Sequence, residues 1–152
     1  MHQQSTSHLF MIEPVEFYAN EQTAYTNHYQ KAVSDEAADK IAEKALTEFH
    51  NLKNAIEKRG IKVTTLLGSK DCPDHIFPNW FITFDDKTMQ IFSMMAPNRR
   101  EEKKSHMIQH LTETYELTDD MSDLEDKEIF LESTSSMVFD SCLLYTSDAA
   151  DE

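Results

Sequence analysis

A carboxylate, an amide and an aromatic ring occur close together in the stretch DCPDHIFPNWF, residues 71–81. Asp74 precedes an apolar run that is typical of a strand, and Asn79 and Trp80 open that run. Side chains of these types can hold a planar cation such as guanidinium, because the carboxylate accepts paired N–H donors while the aromatic face attracts the charge. The alternative is that Asp74 caps a turn and Trp80 belongs to the core, and the sequence leaves both interpretations open.

Two adjacent arginines in APNRREEK, residues 96–103, form a second candidate site. Arg99 and Arg100 fall in the first turn of a predicted helix, where the helix dipole disfavours a cation by about 0.3–1 kcal/mol. Glu101 and Glu102 offset part of this cost. Two arginines beside free helix N–H groups would bind a carboxylate or a phosphate. The alternative, equally open, is a solvated helix start with internal ion pairs.

Histidine, cysteine and acidic residues also raise the question of a metal site. His106 and His110 have i, i+4 spacing on the second predicted helix, but the glutamate of an HExxH motif and a third ligand are absent. Cys72, Asp74 and His75 match no zinc spacing. We therefore predict that the two helical histidines form a polar flank and that the chain holds no metal.

The overall charge limits the class of partner. The chain has 152 residues, with 14 basic and 28 acidic side chains and a formal net charge of −14. Nucleic acid and anionic membrane are disfavoured as partners, since neutralising phosphate requires clustered lysine and arginine. No apolar run approaches the ~20 residues that span a bilayer. A hydrophobic fraction of 39% and a charged fraction of 28% are those of an ordinary globular domain.

The cysteine and glycine content bears on the compartment and on cofactors. Cys72 and Cys142 are the only cysteines and lie far apart in the sequence, so a disulfide framework is not expected. This agrees with a reducing compartment, and we predict a cytoplasmic protein. Gly60 and Gly68 are the only glycines, which excludes a glycine-rich phosphate loop, and no cofactor is predicted.

A strand, a helix and a second strand are predicted in the first half of the chain. The apolar run 9–12 indicates a buried strand, and residues 61–67 indicate another. Between them, residues 34–59 carry helix signals, with Ser34 as a cap and Gly60 as the terminator. The residues at helical spacing are Ala38, Ile41, Ala42, Ala45, Leu46, Phe49, Leu52 and Ile56.

A hairpin, a second helix and further strands are predicted in the second half. Asn98 is the expected N-cap of the helix, with Glu101 as its capping-box partner. The acidic stretch 119–128 is interpreted as a solvated connection, since the DxDxDG order of a calcium loop is absent. The predicted strands are residues 80–84 and 89–95, which form the hairpin, then 114–118, 128–132 and 136–139.

Four sequence blocks resemble those of a known family: HLFMIEPVEFYANEQTA, DHIFPNWF, MMAPNRREEK and FLESTSSMVFD. Over residues 8–140 the chain is similar to the amidinotransferase-like family, which includes arginine-deiminase-related and citrulline hydrolases and, more distantly, the dimethylarginine dimethylaminohydrolases. The resemblance implies a pentein fold, an α/β propeller of five ββαβ units around a central channel. The order of the predicted elements also indicates ββαβ-like units, and this chain would form an incomplete propeller of about half.

The resemblance also implies an activity. Members of the family hydrolyse or transfer a guanidino or ureido group through a covalent thiouronium-type intermediate on a cysteine, with a histidine as general acid and base. The expected substrate is a small arginine- or citrulline-like amino acid, and the expected enzyme is a hydrolase of linear amidines or ureido compounds, or an amidinotransferase. The alternative is a non-catalytic module that binds an amino acid or guanidinium on the same fold. The sequence does not indicate an oligomeric state.

Five residues correspond to substrate-binding positions of the family. Asp74 and Asn79 fall in the block that contacts the substrate, and Arg99 and Arg100 match the arginine pair that binds the substrate's carboxylate or orders the site. Asn20 lies in the first block, whose loop borders the channel. The resemblance therefore implies a substrate site that contains these five side chains.

Two blocks depart from the family pattern. This chain reads FPNWF where FPNNW is common, which leaves the alignment of Asn79 and Trp80 open. Ser133 and Ser135 stand where an LEGTGS-like turn carries glycines. If that turn needs a positive φ, each serine costs about 1 kcal/mol.

The family's catalytic histidine and cysteine are expected beyond the matched blocks, so we predict that this chain lacks both. Cys142 follows the LESTSS block too closely to be the nucleophile. The tail CLLYTSDAADE can be encoded by a transposon-end adapter of the kind used in sequencing libraries. We interpret residues 1–141 as the N-terminal portion of an amidinotransferase-like catalytic domain and residues 142–152 as an adapter-derived tail outside the fold.

Overall fold

The structure is a computed structural model in which residues 6–24, 27, 38–140 and 145–147 are described. The chain divides into two compact units. The first unit is Ser7–Pro78, and the second unit comprises Asn79–Glu152 together with Met1–Thr6. Both units contain helices and strands, which confirms the mixed α/β class.

The first unit is built on a strand–helix–strand crossover. Strands β1 (His8–Glu13) and β2 (Lys62–Leu67) pair in parallel. Parallel strands need a long connection, and here it contains helix α1 (Glu21–Ala24) and helix α2 (Ala38–Glu57). The two strands and the long helix predicted from the sequence are confirmed.

Helix α2 ends where the sequence predicts. Gly60 follows it with φ +81°, a conformation that glycine adopts without steric cost. The predicted cap, Ser34, lies outside the described residues. On the apolar face of the helix, Leu52 remains 56% exposed and, with Phe49, lines an apolar cavity of about 290 Å³ beside β1.

The second unit contains a ββαβ arrangement. Strands β3 (Phe81–Thr83) and β4 (Thr88–Ile91) form an antiparallel hairpin. Strand β5 (Glu116–Asp120) pairs in parallel with β4, so the sheet order is β3-β4-β5. Two short helices, α3 (Pro97–Arg100) and α4 (Ser105–Thr112), lie in the crossover between β4 and β5. The predicted hairpin is confirmed, and the predicted order of hairpin, helix and strand is confirmed as far as β5.

The turn of the hairpin is held by Asp86. Its Oδ1 accepts hydrogen bonds from the hydroxyl of Thr88 at 2.7 Å and from the N–H of Thr88 at 3.0 Å. These bonds hold the pKa of Asp86 below its ordinary value, because they favour the charged carboxylate. Lys87 adopts φ +68°, which completes the turn between β3 and β4.

The second predicted helix is divided, and its predicted cap is wrong. Helix α3 begins with Pro97, directly after Ala96 as N-cap. Proline is favoured at a helix start because it has no N–H to satisfy and its φ is already helical. Asn98 therefore lies inside α3, and Glu101 is the residue that ends it, so the two do not form the predicted capping box.

Helix α4 carries the amphipathic pattern predicted from the sequence. Met107 and Leu111 are buried, while His106 and His110 are exposed. The predicted polar flank is confirmed. Among the described residues, no group of three or more histidine, cysteine, aspartate or glutamate side chains is placed to hold a metal ion.

The strand predicted at residues 128–132 is wrong. A 3₁₀ helix, Ser122–Lys127, occupies most of the acidic stretch before it. The N–H of Ile129 then donates to the carbonyl of Leu124 at 3.0 Å, and Glu128 has φ +56°. Because the backbone of this segment turns back on the 3₁₀ helix, it has no extended run with which to form a ladder.

The remaining elements form a short hairpin. Helix α5 (Ser133–Ser136) precedes strand β6 (Val138–Asp140), so the strand predicted at 136–139 is confirmed at residues 138 and 139 and begins two residues later than predicted. Its antiparallel partner is β7 (Tyr145–Ser147), not the preceding segment 128–132. The adapter origin of residues 142–152 stays a prediction.

The most buried apolar side chains of the second unit are rich in methionine: Trp80, Met89, Ile91, Met94, Met107 and Leu111. In the first unit, Ile12 and Cys72 are almost completely buried. No helix in the described part of the chain has the length and apolar character to cross a membrane.

Candidate functional site

A buried amide and a buried carboxylate lie together in the first unit. Nδ2 of Asn20 donates a hydrogen bond to Oδ2 of Asp74 at 2.7 Å, and the two residues are 1% and 6% exposed. They are 54 positions apart in the sequence. The fold of this unit therefore brings together two of the five residues predicted for the site.

The backbone around each residue fixes its side chain. Asn20 caps helix α1, since its Oδ1 accepts the N–H of Gln22 at 3.1 Å. This bond orients the amide so that Nδ2 can donate to Asp74. Asp74 lies in a turn that backbone groups close, with its own carbonyl accepting the N–H of Phe77 at 2.9 Å.

The electrostatics of this pair suit a cation. Oδ2 of Asp74 accepts a second hydrogen bond, from the hydroxyl of Thr23 at 3.1 Å. The amide of Asn20 and the hydroxyl of Thr23 are neutral, so neither cancels the charge of the carboxylate. Opposite charges attract more strongly in a buried site than in water, and a guanidinium offers carboxylates paired N–H donors. The arrangement can hold such a group.

Asn79 and Trp80 belong to the second unit. Asn79 is half-buried, and its Oδ1 accepts a hydrogen bond from the hydroxyl of Thr134 at 3.0 Å. Trp80 is 0% exposed, and its ring contacts that of Phe81 at a centroid distance of 4.5 Å. Trp80 is therefore a core residue, the second of the two interpretations left open by the sequence.

Arg99 is buried and held by carboxylates. Its Nε and Nη2 donate to the two oxygens of Glu102 at 3.0 and 3.3 Å, which makes the ion pair bidentate. Its Nη1 lies 3.5 Å from Oε2 of Glu132. Glu102 is itself 0% exposed. This ion pair agrees with the internal pairing that the sequence left open for the arginine segment.

Arg100 donates hydrogen bonds to the backbone that follows β4. Its Nε donates to the carbonyl of Met94 at 2.9 Å, and its Nη2 donates to the carbonyl of Met95 at 3.0 Å. Its guanidinium also lies 5.5 Å from the ring centroid of Phe130. The side chain is 31% exposed, so part of the guanidinium can still be reached by a ligand.

The strand predicted at 89–95 ends early, at Ile91, because charged side chains take up the backbone groups that follow. Glu125 accepts the N–H of Met94 at 2.8 Å, and Glu132 accepts the N–H of Met95 at 3.0 Å. Lys103 donates to the carbonyl of Phe92 at 3.3 Å. The backbone groups of Met94 and Met95 that bond to side chains are not available for a regular ladder.

Three charged residues that contact the backbone after β4 are not predicted from the sequence: Lys103, Glu125 and Glu132. Lys103 is an ion-pair partner of Glu125, and its side chain is only 7% exposed. Glu132 accepts hydrogen bonds from both Met95 and Arg99. No local signal marks them, because a buried lysine or glutamate has the same sequence context as an exposed one. The acidic stretch, interpreted as solvated, in fact supplies the half-buried Glu125.

The turn that carries serines in place of glycines is strained at one of the two positions. Ser133 has φ +31° and is 0% exposed, and its hydroxyl lies 3.3 Å from the carbonyl of Phe81. Ser135 is not among the described residues with positive φ. The conformational reason for glycine therefore applies at position 133 and not at position 135.

Replacing Ser133 by glycine is expected to give a more stable chain than replacing it by alanine, by about 1 kcal/mol. Both substitutions remove the hydroxyl, so their difference isolates the cost of a Cβ at positive φ. Urea unfolding followed by circular dichroism measures it. Ser135 is the matched control, where alanine is expected to exceed glycine by about 0.5–1 kcal/mol. The same order at both positions would contradict the explanation.

The fold and the Asn20–Asp74 pair define an α/β protein with a buried carboxylate suited to a cationic group. Residues 13–150 match the model of a family described as N,N dimethylarginine dimethylhydrolase, eukaryotic. The chain belongs to this family. The predicted membership of a guanidino-modifying group is thereby confirmed, with the dimethylarginine branch as the one that matches.

Two solved structures share the fold. One is ArgZ, an arginine dihydrolase from the ornithine-ammonia cycle in cyanobacteria, with a TM-score of 0.63 and 15% sequence identity. The other is unliganded AgrE, with a TM-score of 0.65 and 12% identity. Each comparison covers 91% of this chain and 19% of the other, so the chain spans about a fifth of the length of these structures. No curated protein matches the chain.

Proposed function

We propose that the chain is the N-terminal part of a cysteine-dependent hydrolase or transferase that acts on the guanidino or ureido group of an arginine- or citrulline-like substrate. The observation that carries this proposal is the buried Asn20–Asp74 pair, in a chain of the dimethylarginine dimethylhydrolase family. The ββαβ arrangement of the second unit supports an incomplete pentein propeller of about half. The remaining units would come from sequence outside this chain.

In this proposal the site residues have different roles. Asp74 holds the guanidinium by charged hydrogen bonds, and Asn20 keeps the carboxylate oriented. Asn79 contributes a second polar contact with the substrate. Arg99, enclosed by Glu102, orders the segment, whereas the half-exposed Arg100 binds the substrate's carboxylate. Nη1 of Arg100 makes no hydrogen bond within the described part of the chain, and this supports its role as the ligand-binding arginine.

Catalysis would need groups that this chain is expected to lack. A resonance-stabilised guanidinium resists attack unless a thiolate lies against its central carbon and a proton reaches the leaving nitrogen. Cys72 is 2% exposed, and a buried thiol without access is inert. The nucleophile and the general acid are thus proposed to lie outside residues 1–141, with the purified 152-residue chain binding substrate without turning it over.

The test replaces Asp74 by asparagine and compares arginine with citrulline as ligands in isothermal titration. Arginine is a cation and citrulline is neutral, so loss of the carboxylate is expected to weaken arginine binding by about tenfold or more, and citrulline binding much less. Asp71→Asn, an exposed change in the same loop, is the matched control. Equal arginine affinity in wild type and Asp74→Asn would overturn the assignment of Asp74 to the binding site. Turnover of citrulline or arginine by the wild-type chain would overturn the proposal that the nucleophile and the general acid lie outside residues 1–141.

A non-catalytic binding module on the same fold is the second candidate. The buried Asn20–Asp74 pair also favours this candidate, since a buried carboxylate can bind a cation without catalysing a reaction. The full-length reading frame distinguishes the two. A downstream histidine and a cysteine near the end of that frame support the enzyme, and their absence supports the module.

Two further expectations belong to this proposal. A cytoplasmic location follows from the two widely separated cysteines, and imaging of the tagged full-length protein tests it. The adapter origin of residues 142–152 is tested by reading the source DNA. A genome that encodes this tail at the same place would contradict it.

A further inference from the structure

Thr23 contacts the same carboxylate oxygen as Asn20. It lies one turn further along helix α1, and its Oγ1 is 3.1 Å from Oδ2 of Asp74. Asn20 Nδ2 reaches that oxygen at 2.7 Å. A single short helical segment, residues 20–23, thus supplies two neutral hydrogen-bond donors to one buried carboxylate oxygen.

The hydroxyl of Thr23 has a second acceptor within reach, the carbonyl of Asn20 at 3.3 Å. That carbonyl already accepts the N–H groups of Thr23 and Ala24, at 3.2 and 3.0 Å. A carbonyl has two lone pairs, and a hydrogen bond to a charged acceptor is roughly twice as strong as a neutral one. The shorter distance and the charge both direct the hydroxyl proton of Thr23 to Asp74.

We propose that Thr23 is a positioning residue for Asp74. Together with Asn20 it fixes Oδ2 of the carboxylate without adding a positive charge that would compete with a cationic ligand. A hydroxyl fits this role because it donates a proton while remaining neutral, which a lysine or arginine at position 23 would not do. This inference rests on the proposed role of Asp74 as the guanidinium-binding group.

The experiment uses Thr23→Val, which keeps the shape and removes the donor, and Thr23→Ser, which keeps the donor. Arginine, citrulline and guanidinium chloride are titrated into the 152-residue chain. We expect Thr23→Val to weaken arginine and guanidinium binding by about tenfold, with citrulline less affected, and Thr23→Ser to restore wild-type affinity. Thr47→Val in helix α2 is the matched control, because its hydroxyl donates to the carbonyl of Glu43 one turn earlier and, among the described residues, not to a carboxylate.

A second measurement reads the position of Asp74 without any ligand. The side-chain amide resonances of Asn20 in a ¹H–¹⁵N spectrum report its bond to Asp74. They are expected to move in Thr23→Val and to stay unchanged in Thr23→Ser and Thr47→Val. Resonances and arginine affinity that are both unchanged in Thr23→Val would overturn the inference. If the resonances move but wild-type chain binds none of the three ligands, the proposed function fails while the positioning role of Thr23 stands.

Discussion

Replacing Arg99 by alanine is expected to lower the free energy of unfolding by about 3–5 kcal/mol. The reason lies in its partner more than in Arg99 itself. Glu102 is 0% exposed and receives two hydrogen bonds from the guanidinium, at 3.0 and 3.3 Å. Without them, a buried carboxylate loses the counter-charge of Arg99, and water has little access to it because both side chains are buried. Urea unfolding followed by circular dichroism measures the loss.

Arg100→Ala is the matched control, since it removes the same side chain from the next position. Arg100 is 31% exposed, and its hydrogen bonds go to the carbonyls of Met94 and Met95. Each such bond contributes about 1.5–3 kcal/mol when the donor is charged, and partial exposure lets water substitute for it. The cost at position 100 is therefore expected to be smaller. An equal cost at both positions would contradict the role assigned to buried Glu102.

The double variant Arg99→Met, Glu102→Leu sharpens the test. It removes both charges and fills the space with apolar groups, so it is expected to be close to neutral, within about 2 kcal/mol of wild type. A large loss in Arg99→Ala that the double variant does not recover would mean that the guanidinium contributes through a partner other than Glu102. In that case Glu132, which Arg99 also contacts, becomes the partner to test.

Local signals in the sequence account for the parts of the fold that were predicted correctly. Helix α2 has apolar residues at helical spacing and a glycine at its end, and these are properties of the segment alone. The hairpin of β3 and β4 likewise depends on two apolar runs and the turn between them. Periodicity and turn chemistry act over a few residues, so one sequence suffices to recognise them.

The candidate site depends on contacts that no local pattern contains. Asn20 and Asp74 are 54 positions apart, and Arg99 and Glu132 are 33 apart. Only the family resemblance linked Asn20 to Asp74 before the structure was known. The segment Phe92–Met95 was predicted as strand because it is apolar, yet its backbone bonds to charged side chains from elsewhere in the chain. Those partners determine the conformation of the segment, and the spacing of apolar residues in the sequence does not predict them.

Replacing Trp80 by alanine is expected to cost about 3–5 kcal/mol, the range for removing a large aromatic side chain from a core. Trp80 is 0% exposed and stacks at an angle on Phe81. The same residue, if it formed the face of a cation site, would be reachable from solvent and would tolerate alanine with a loss of binding and little loss of stability. Thermal and urea unfolding therefore distinguish the two roles of Trp80.

Trp80→Phe distinguishes the contribution of the aromatic ring from that of the indole N–H. The indole N–H of Trp80 is buried and has no hydrogen-bond partner within the described part of the chain, so it weakens the folded state instead of supporting it. Phenylalanine removes that donor and keeps most of the apolar surface, and the expected cost is less than about 1.5 kcal/mol. A Trp80→Phe loss as large as that of Trp80→Ala would mean that the N–H makes a bond that the fold needs. A small loss of stability in Trp80→Phe is expected because the ring of Trp80 stabilises the fold through its buried apolar surface. On this interpretation Trp80 is part of the core of the second unit and does not contact the ligand.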